Sequence, residues 1–359
     1  MTLAVELSAP GGVENLSVIS RKLEDPGKGE IRIRQEGAGV NFIDIYQRTG
    51  LYPLPLPAIL GVEGAGVIEA VGEGVAGLSV GDRVGYAGVV GGYAEARLLP
   101  AWRAIALPGG LFFEHAAASL LRAFTAHMLL RRVYPVGPGS TLLVHAGAGG
   151  LASLLIPWAR RLGARVLATA SSETKAARAI AHGAERVIVG RGADIAGAAR
   201  DWTGGRGVDF TIDGIGGPTY QASLDATAKF GMFASIGQAA GAIADVSASD
   251  FGPGRSLAFS RPSVMAYLSD PATYRAAVPE VLQAVQAAAM TDAPRFPLIA
   301  AAEARRPFRP MRVLRFRIRR GLPVIRAIDR ANDARTGSAW YLRNRREGQT
   351  CLSQEVPVF

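Results

Sequence analysis

The chain has 359 residues, 49% of them hydrophobic and 19% charged, a balance that fits two folded domains and excludes a disordered chain. Its one cysteine, Cys351, excludes an internal disulfide framework or a multi-cysteine metal site, and the four histidines (His115, His127, His145, His182) fall at no metal-ligand spacing. The net charge of +10 resides wholly in residues 305–359, which hold fourteen arginines, no lysine and four acids; the body before them is neutral.

Residues 1–118 read as strands and turns. Short β-type runs at 30–34 and 66–71 lie between Gly and Pro punctuation. GDRVGY at 81–86 is a turn feeding a strand, and Gly91-Gly92 marks another turn. From about 119 the pattern changes, with strands expected at 141–145, 165–169, 186–189, 208–212 and 232–236. Helices are expected between them, at 151–162, from 173 to a stop at Gly183, and at 194–202. That alternation means βαβ units, a parallel sheet and an α/β fold. The stretch 272–290 is helical by composition, with an interruption at Pro279. Beyond Arg305, RRPFRPMRVLRFRIRRG shows little that resembles a well-formed amphipathic element. No apolar run approaches the roughly 18 residues of a membrane span. The N-terminus lacks a basic segment leading into an apolar one, so the expectation is a cytoplasmic protein with no membrane partner.

The residues Gly147, Gly149, Gly150, Leu151 and Ala152 complete a G-x-G-x-x-G/A pattern that follows a predicted strand and opens a predicted helix. Glycines there permit a tight turn and close approach of backbone to a pyrophosphate at the positive end of a helix. A carboxylate about 20 residues past the first glycine would bind the ribose 2′-hydroxyl of NADH. The chain instead reads Ala168, Thr169, Ala170, Ser171, Ser172, with Lys175 one turn on. Ser171 can donate to a 2′-phosphate and Lys175 can pair with it, so NADPH is the expected cofactor.

GVNFIDIYQRTGLYP (39–53), LGVEGAGVIEAVGEGV (60–75), GDRVGY, AAASLLRAFTAHMLL (116–130), HAGAGG (145–150), DFTIDGIGG (209–217), SIGQAAG (235–241) and SRPSV (260–264) follow one another in order. Together they resemble the NADPH:quinone oxidoreductases, the zeta-crystallin-like, zinc-free branch of the medium-chain dehydrogenase/reductase superfamily, over residues 1 to about 304. The resemblance implies a GroES-like β-rich catalytic domain (1–118, completed by 259–304) around a Rossmann doubly wound NADPH-binding domain (119–258). It implies a cleft lined by a loop carrying Asn41, Asp44, Tyr46 and Tyr52. Thr125 would lie near the nicotinamide carboxamide, Gly237 and Gln238 beside the cofactor, and the protein would form a homodimer. Zinc-dependent relatives carry G-H-E where this chain has Gly61-Val62-Glu63, and the lone cysteine lies in the tail, so no metal is expected.

Without a Lewis acid, hydride transfer to a quinone or a conjugated carbonyl compound is the expected chemistry. Tyr46 and Tyr52 would flank the acceptor, and Asp44 or a tyrosine would relay a proton. An enoyl or 2-alkenal reductase on the same scaffold is the alternative, followed by a non-catalytic nucleotide- or RNA-binding protein or a C-terminally damaged relative. The chain departs from the family at Ala152, at Pro157, expected to kink its helix, and at Gly190, where a tyrosine often contacts the nucleotide. The tail 305–359 is the largest departure. A reading-frame shift near Ala304 accounts for it better than a nucleic-acid partner, since no binding module accompanies the arginines. Such a shift would deprive the substrate domain of its last packing elements.

Overall fold

The computed structural model describes residues 1–288, 295–298 and 312–315. The expectations about Ala304 and about most of the tail 305–359 fall outside the described residues. The chain opens with β1 (Thr2–Leu7), β2 (Leu16–Arg21), β3 (Glu30–Val40), α1 (Phe42–Arg48), β4 (Ala58–Ile59), β5 (Glu63–Val71), β6 (Arg83–Ala87), β7 (Ala96–Pro100) and β8 (Ile105–Ala106). Strands β2, β1 and β4 form a small antiparallel sheet, and β3, β5, β6 and β8 form the spine of a larger one on which β7 pairs with β3. Alternation along β3 buries Ile31 and Ile33 against Ile68, Val84 and Leu99.

Two short helices, α2 (Phe113–Ala117) and α3 (Leu120–His127), lead into the second region. It contains β9 (Thr141–Val144), α4 (Ala152–Arg161), β10 (Arg165–Ala170), α5 (Glu173–Ala181), β11 (Arg186–Val189), α6 (Ile195–Trp202), β12 (Val208–Asp213), α7 (Tyr220–Ala226), β13 (Thr227–Ser235) and β14 (Ala258–Ser260). All six strands are parallel in the order β11-β10-β9-β12-β13-β14, so the sheet reverses direction of growth between β9 and β12. That is the Rossmann order, in which ligands bind where the order reverses. The sixth strand, only three residues long, was not legible as a period in the sequence.

The chain then returns through α8 (Val264–Tyr267) and α9 (Pro271–Ala287). Helix α9 packs its buried residues, among them Tyr274, Ala277 and Val281, into the core that also holds Phe124, Leu155 and Trp158. The Tyr274 ring stacks on Phe124 at 4.8 Å, and its hydroxyl donates to the carbonyl of Arg103 at 2.8 Å, tying α9 to the N-terminal region. Neither helix breaks at its proline: α4 runs on through Pro157 and α9 through Pro279. Pro279 is exposed, so water can satisfy the carbonyl it strands, while the packed face of the helix holds the rest.

Two last strands, β15 (Arg295–Pro297) and β16 (Arg312–Arg315), extend the larger sheet. β16 pairs antiparallel with the end of β3, Arg312 opposite Val40 and Arg315 opposite Gly37. The Arg-rich segment thus supplies a sheet element where the sequence suggested none, because ladder bonds are made by backbone and are indifferent to side-chain pattern.

Candidate active site

The region expected as a loop carrying Asn41 and Tyr46 is helix α1. Asn41, extended at φ −124° and ψ 163°, precedes the helix, and the carboxylate of Asp44 accepts from the Asn41 N–H at 2.8 Å. Asp44 is 0% exposed and also accepts from the hydroxyl of Tyr93 at 2.6 Å. One carboxylate oxygen, Oδ2, thus takes both bonds and ties Asp44 to the helix start and to a buried tyrosine.

Asn41 reaches the other way as well. Its Nδ2 donates to Glu63 Oε1 at 2.7 Å, and Glu63 Oε2 accepts from the N–H of Leu121, at the start of α3, at 2.8 Å. Glu63 is 1% exposed, and burial pushes its carboxyl up to about 7 against the opposing pull of those two donors and Arg122. Sequence reasoning noted Glu63 only as the neighbour of a missing zinc ligand.

Tyr46 and Tyr52 meet edge to face, ring centroids 5.2 Å apart. The Tyr46 hydroxyl accepts from the backbone N–H of Gln238 at 3.0 Å, so α1 touches the turn after β13 directly. Burial, the largest influence, raises the Tyr46 pKa, which keeps its hydroxyl protonated. The Gln238 side chain accepts from Arg261 at 2.8 Å. Gly237 lies so close to the turn after β12 that a Cβ there would be 3.0 Å from the carbonyl oxygen of Gly214. Thr125, on α3, donates its hydroxyl back to the carbonyl of Leu121 at 2.8 Å, leaving its oxygen free to accept.

The glycine loop leaves β9 and enters α4. A Cβ on Gly147 would be 2.6 Å from the Cβ of Ala168, and the Gly147 N–H donates to the carbonyl of Thr169 at 2.8 Å. Only glycine lets the loop lie this close to β10. The Gly150 carbonyl, one residue before Leu151, accepts from Arg122 at 2.9 Å. Gly149 closes the turn with its N–H on the carbonyl of Ala146 at 2.7 Å. At the end of β10, Lys175 Nζ lies 2.9 Å from Ser171 Oγ, both exposed. Gly190 closes β11 with nothing within 4 Å of where a side chain would start.

Beneath this loop runs a buried chain of hydrogen bonds that sequence reasoning missed. Ser223 donates to Asp213 Oδ2 at 3.0 Å, so its oxygen must accept from His145 Nε2–H, 2.9 Å away. His145 Nδ1 is then the acceptor for the hydroxyl of Thr169 at 3.3 Å, and Thr169 in turn accepts from the N–H of Ala146 at 3.2 Å. The imidazole is neutral in this arrangement, consistent with burial lowering its pKa. Asp213 also accepts from Ile215 N, Gly216 N and Thr219 Oγ1, at 2.7, 3.3 and 2.6 Å.

Two family models match the chain: the alcohol dehydrogenase GroES-like domain over residues 27–109 and the zinc-binding dehydrogenase over residues 150–286. A quinone oxidoreductase of Salmonella typhimurium is 40% identical over 271 residues, spanning 75% of this chain and 83% of that protein. The crystal structure of Escherichia coli quinone oxidoreductase complexed with NADPH matches with a TM-score of 0.82 at 34% identity, covering 87% of this chain and 99% of that one. The chain belongs to the quinone oxidoreductase family, the zinc-free branch of the medium-chain reductases. A further member of this group of relatives, a 2-haloacrylate reductase of a Burkholderia species, is 39% identical over 279 residues, 75% of this chain and 84% of that protein. Despite the zinc-binding name of one matching model, no group of three or more His, Cys, Asp or Glu among the described residues could hold a metal ion. Nor is any helix among them long and apolar enough to cross a membrane.

Proposed function

We propose that the chain reduces quinones with NADPH, by hydride transfer in the cleft between the α1 region and the parallel sheet. The observation that carries the reading is the Ser171–Lys175 pair at the end of the second strand of a Rossmann-ordered sheet, where a hydroxyl and a cation stand in place of a carboxylate that would accept the ribose 2′-hydroxyl of NADH. The residues fit that cofactor. Gly147, Gly149, Gly150 and Leu151 would hold its pyrophosphate, Ser171 and Lys175 its 2′-phosphate, and Asn41, Thr125, Gly237 and Gln238 its nicotinamide end. When bound, NADPH supplies a hydride to an electron-poor acceptor. Tyr46 and Tyr52 would flank the acceptor ring, and the protonated Tyr46 hydroxyl would deliver a proton to the reduced oxygen. Asp44 and Glu63 would set the pose of α1 and Asn41 without touching substrate.

We assign residues 119–258 to the nucleotide-binding domain and 1–118 with 259–304 to the catalytic domain. A cytoplasmic homodimer is the proposed form; the end strand β14, with one edge unpaired among the described residues, supports self-association. A second reading is favoured by the 2-haloacrylate reductase relative: the same hydride delivered to a conjugated carbon–carbon bond. The deciding experiment follows NADPH oxidation by absorbance with phenanthrenequinone, a 2-alkenal and a 2-haloacrylate as parallel acceptors, and with NADH as a parallel donor. Quinone turnover preferring NADPH supports the first reading. Turnover confined to the alkenal or haloacrylate would replace it with the second.

A further inference from the structure

Helix α3 reaches the glycine loop through one side chain. The guanidinium of Arg122, a half-buried residue, donates Nη1 to the Gly150 carbonyl at 2.9 Å, and Ser153 Oγ donates to the same oxygen at 2.9 Å. Two side-chain donors thus converge on one backbone acceptor. They are not equivalent. Ser153 belongs to α4 and moves with it, whereas Arg122 fixes the peptide against a separate element. Burial, the larger influence, lowers the Arg122 pKa, and the charge of Glu63 pulls the other way. The same helix donates the Leu121 N–H to Glu63 at 2.8 Å and carries Thr125 one turn further on.

The Gly150–Leu151 peptide is trans, so its C=O and N–H point in opposite directions across one plane. Fixing the Gly150 oxygen therefore aims the Leu151 N–H away from Arg122 and Ser153. That N–H has no hydrogen-bond partner among the described residues, and it stands at the positive end of α4, a helix of 10 residues. A cation bonded to the carbonyl also polarises the peptide and strengthens its N–H as a donor. We propose that Arg122 is a positioning residue for the cofactor: by holding the Gly150 carbonyl it directs the Leu151 N–H onto the pyrophosphate of a bound dinucleotide. The proposal rests on the NADPH reading above. It makes α3 serve both ends of the cofactor, the nicotinamide through Thr125 and the pyrophosphate through Arg122 and the loop.

The test is titration calorimetry of the full-length protein at neutral pH with NADPH, NADH and 2′-AMP, which carries the 2′-phosphate and no pyrophosphate. Arg122→Met should raise the Kd of both dinucleotides by the same factor, about tenfold, and leave that of 2′-AMP within about twofold. Arg122→Lys, which keeps a cationic donor, should recover most of the loss. Unchanged dinucleotide affinity in Arg122→Met, equal weakening of 2′-AMP, or no recovery in Arg122→Lys would overturn the proposal. The wild-type chain tests the underlying reading separately: failure to bind 2′-AMP, or equal affinity for NADPH and NADH, would remove the NADPH assignment and the proposal with it.

Discussion

In the parallel-sheet region, Asp213 lies at the end of β12 among four donors, and one of them, Ser223, links it to a neutral His145 under the glycine loop. In the N-terminal region Glu63 has two donors, Asn41 and the Leu121 N–H, and they do not compensate its burial, which pushes its carboxyl up to about 7. The first network is a chain of hydrogen bonds from Asp213 through Ser223 and His145 to Thr169, fixing loop conformation and imidazole tautomer together. The second joins three elements, β5, α1 and α3, through a group that changes charge near neutrality. A buried carboxylate can therefore serve as a rigid peg or as a titrating joint, depending on how many donors converge on it.

Removing the peg should have the largest effect. Asp213→Ala leaves two N–H groups and the Ser223 hydroxyl without their acceptor, and should cost about 3 kcal/mol or more in urea unfolding, with loss of NADPH affinity. The joint comes next, and its signature is pH. The folded pKa of Glu63 lies above its ordinary 4.5, so its stabilising contribution is full below 4.5 and is lost as pH rises through about 7. The loss should reach about 3 kcal/mol, and Glu63→Gln should abolish it. What remains in that variant should slope the other way. The His145 pKa is lowered on folding from its ordinary 6.5, so its contribution is present above 6.5 and is lost as pH falls below it. Equal pH–stability curves for wild type and Glu63→Gln would dissolve the contrast between the two sides.

Smaller effects separate cofactor from scaffold. Lys175→Ala should raise the KM for NADPH about tenfold, roughly 1.4 kcal/mol, while leaving NADH turnover and unfolding unchanged. Tyr46→Phe deprives the Gln238 N–H of its acceptor and should cost about 1 kcal/mol in stability, together with a fall in kcat for quinone.

Much of this was readable in the sequence, and the failures share a cause. The glycine loop, the first five parallel strands and the Ser171–Lys175 pair are local patterns, and their meaning lies within a few residues of each other. The His145–Asp213 chain depends on Ser223, 78 residues from His145, and the Glu63 joint on Leu121, 58 residues away. No spacing rule connects such partners. Asp44 was visible as a polar residue in an aromatic stretch, but its use in starting α1 required knowing that the stretch is helical. Pro279 was overweighted as an interruption, because the propensity of one residue yields to the packing of a whole helix face.

The pairing of β16 with β3 has a bearing on how such a protein can change. β3 ends at Val40, next to Asn41, so the strand that completes the sheet also braces the first residue of the site. A row of backbone donors and acceptors checks only that an arriving segment is extended and of suitable length. Residues 312–315 come from an arginine-rich stretch, yet they fill that place. A sheet border of this kind sets few conditions on the side chains of the strand that fills it.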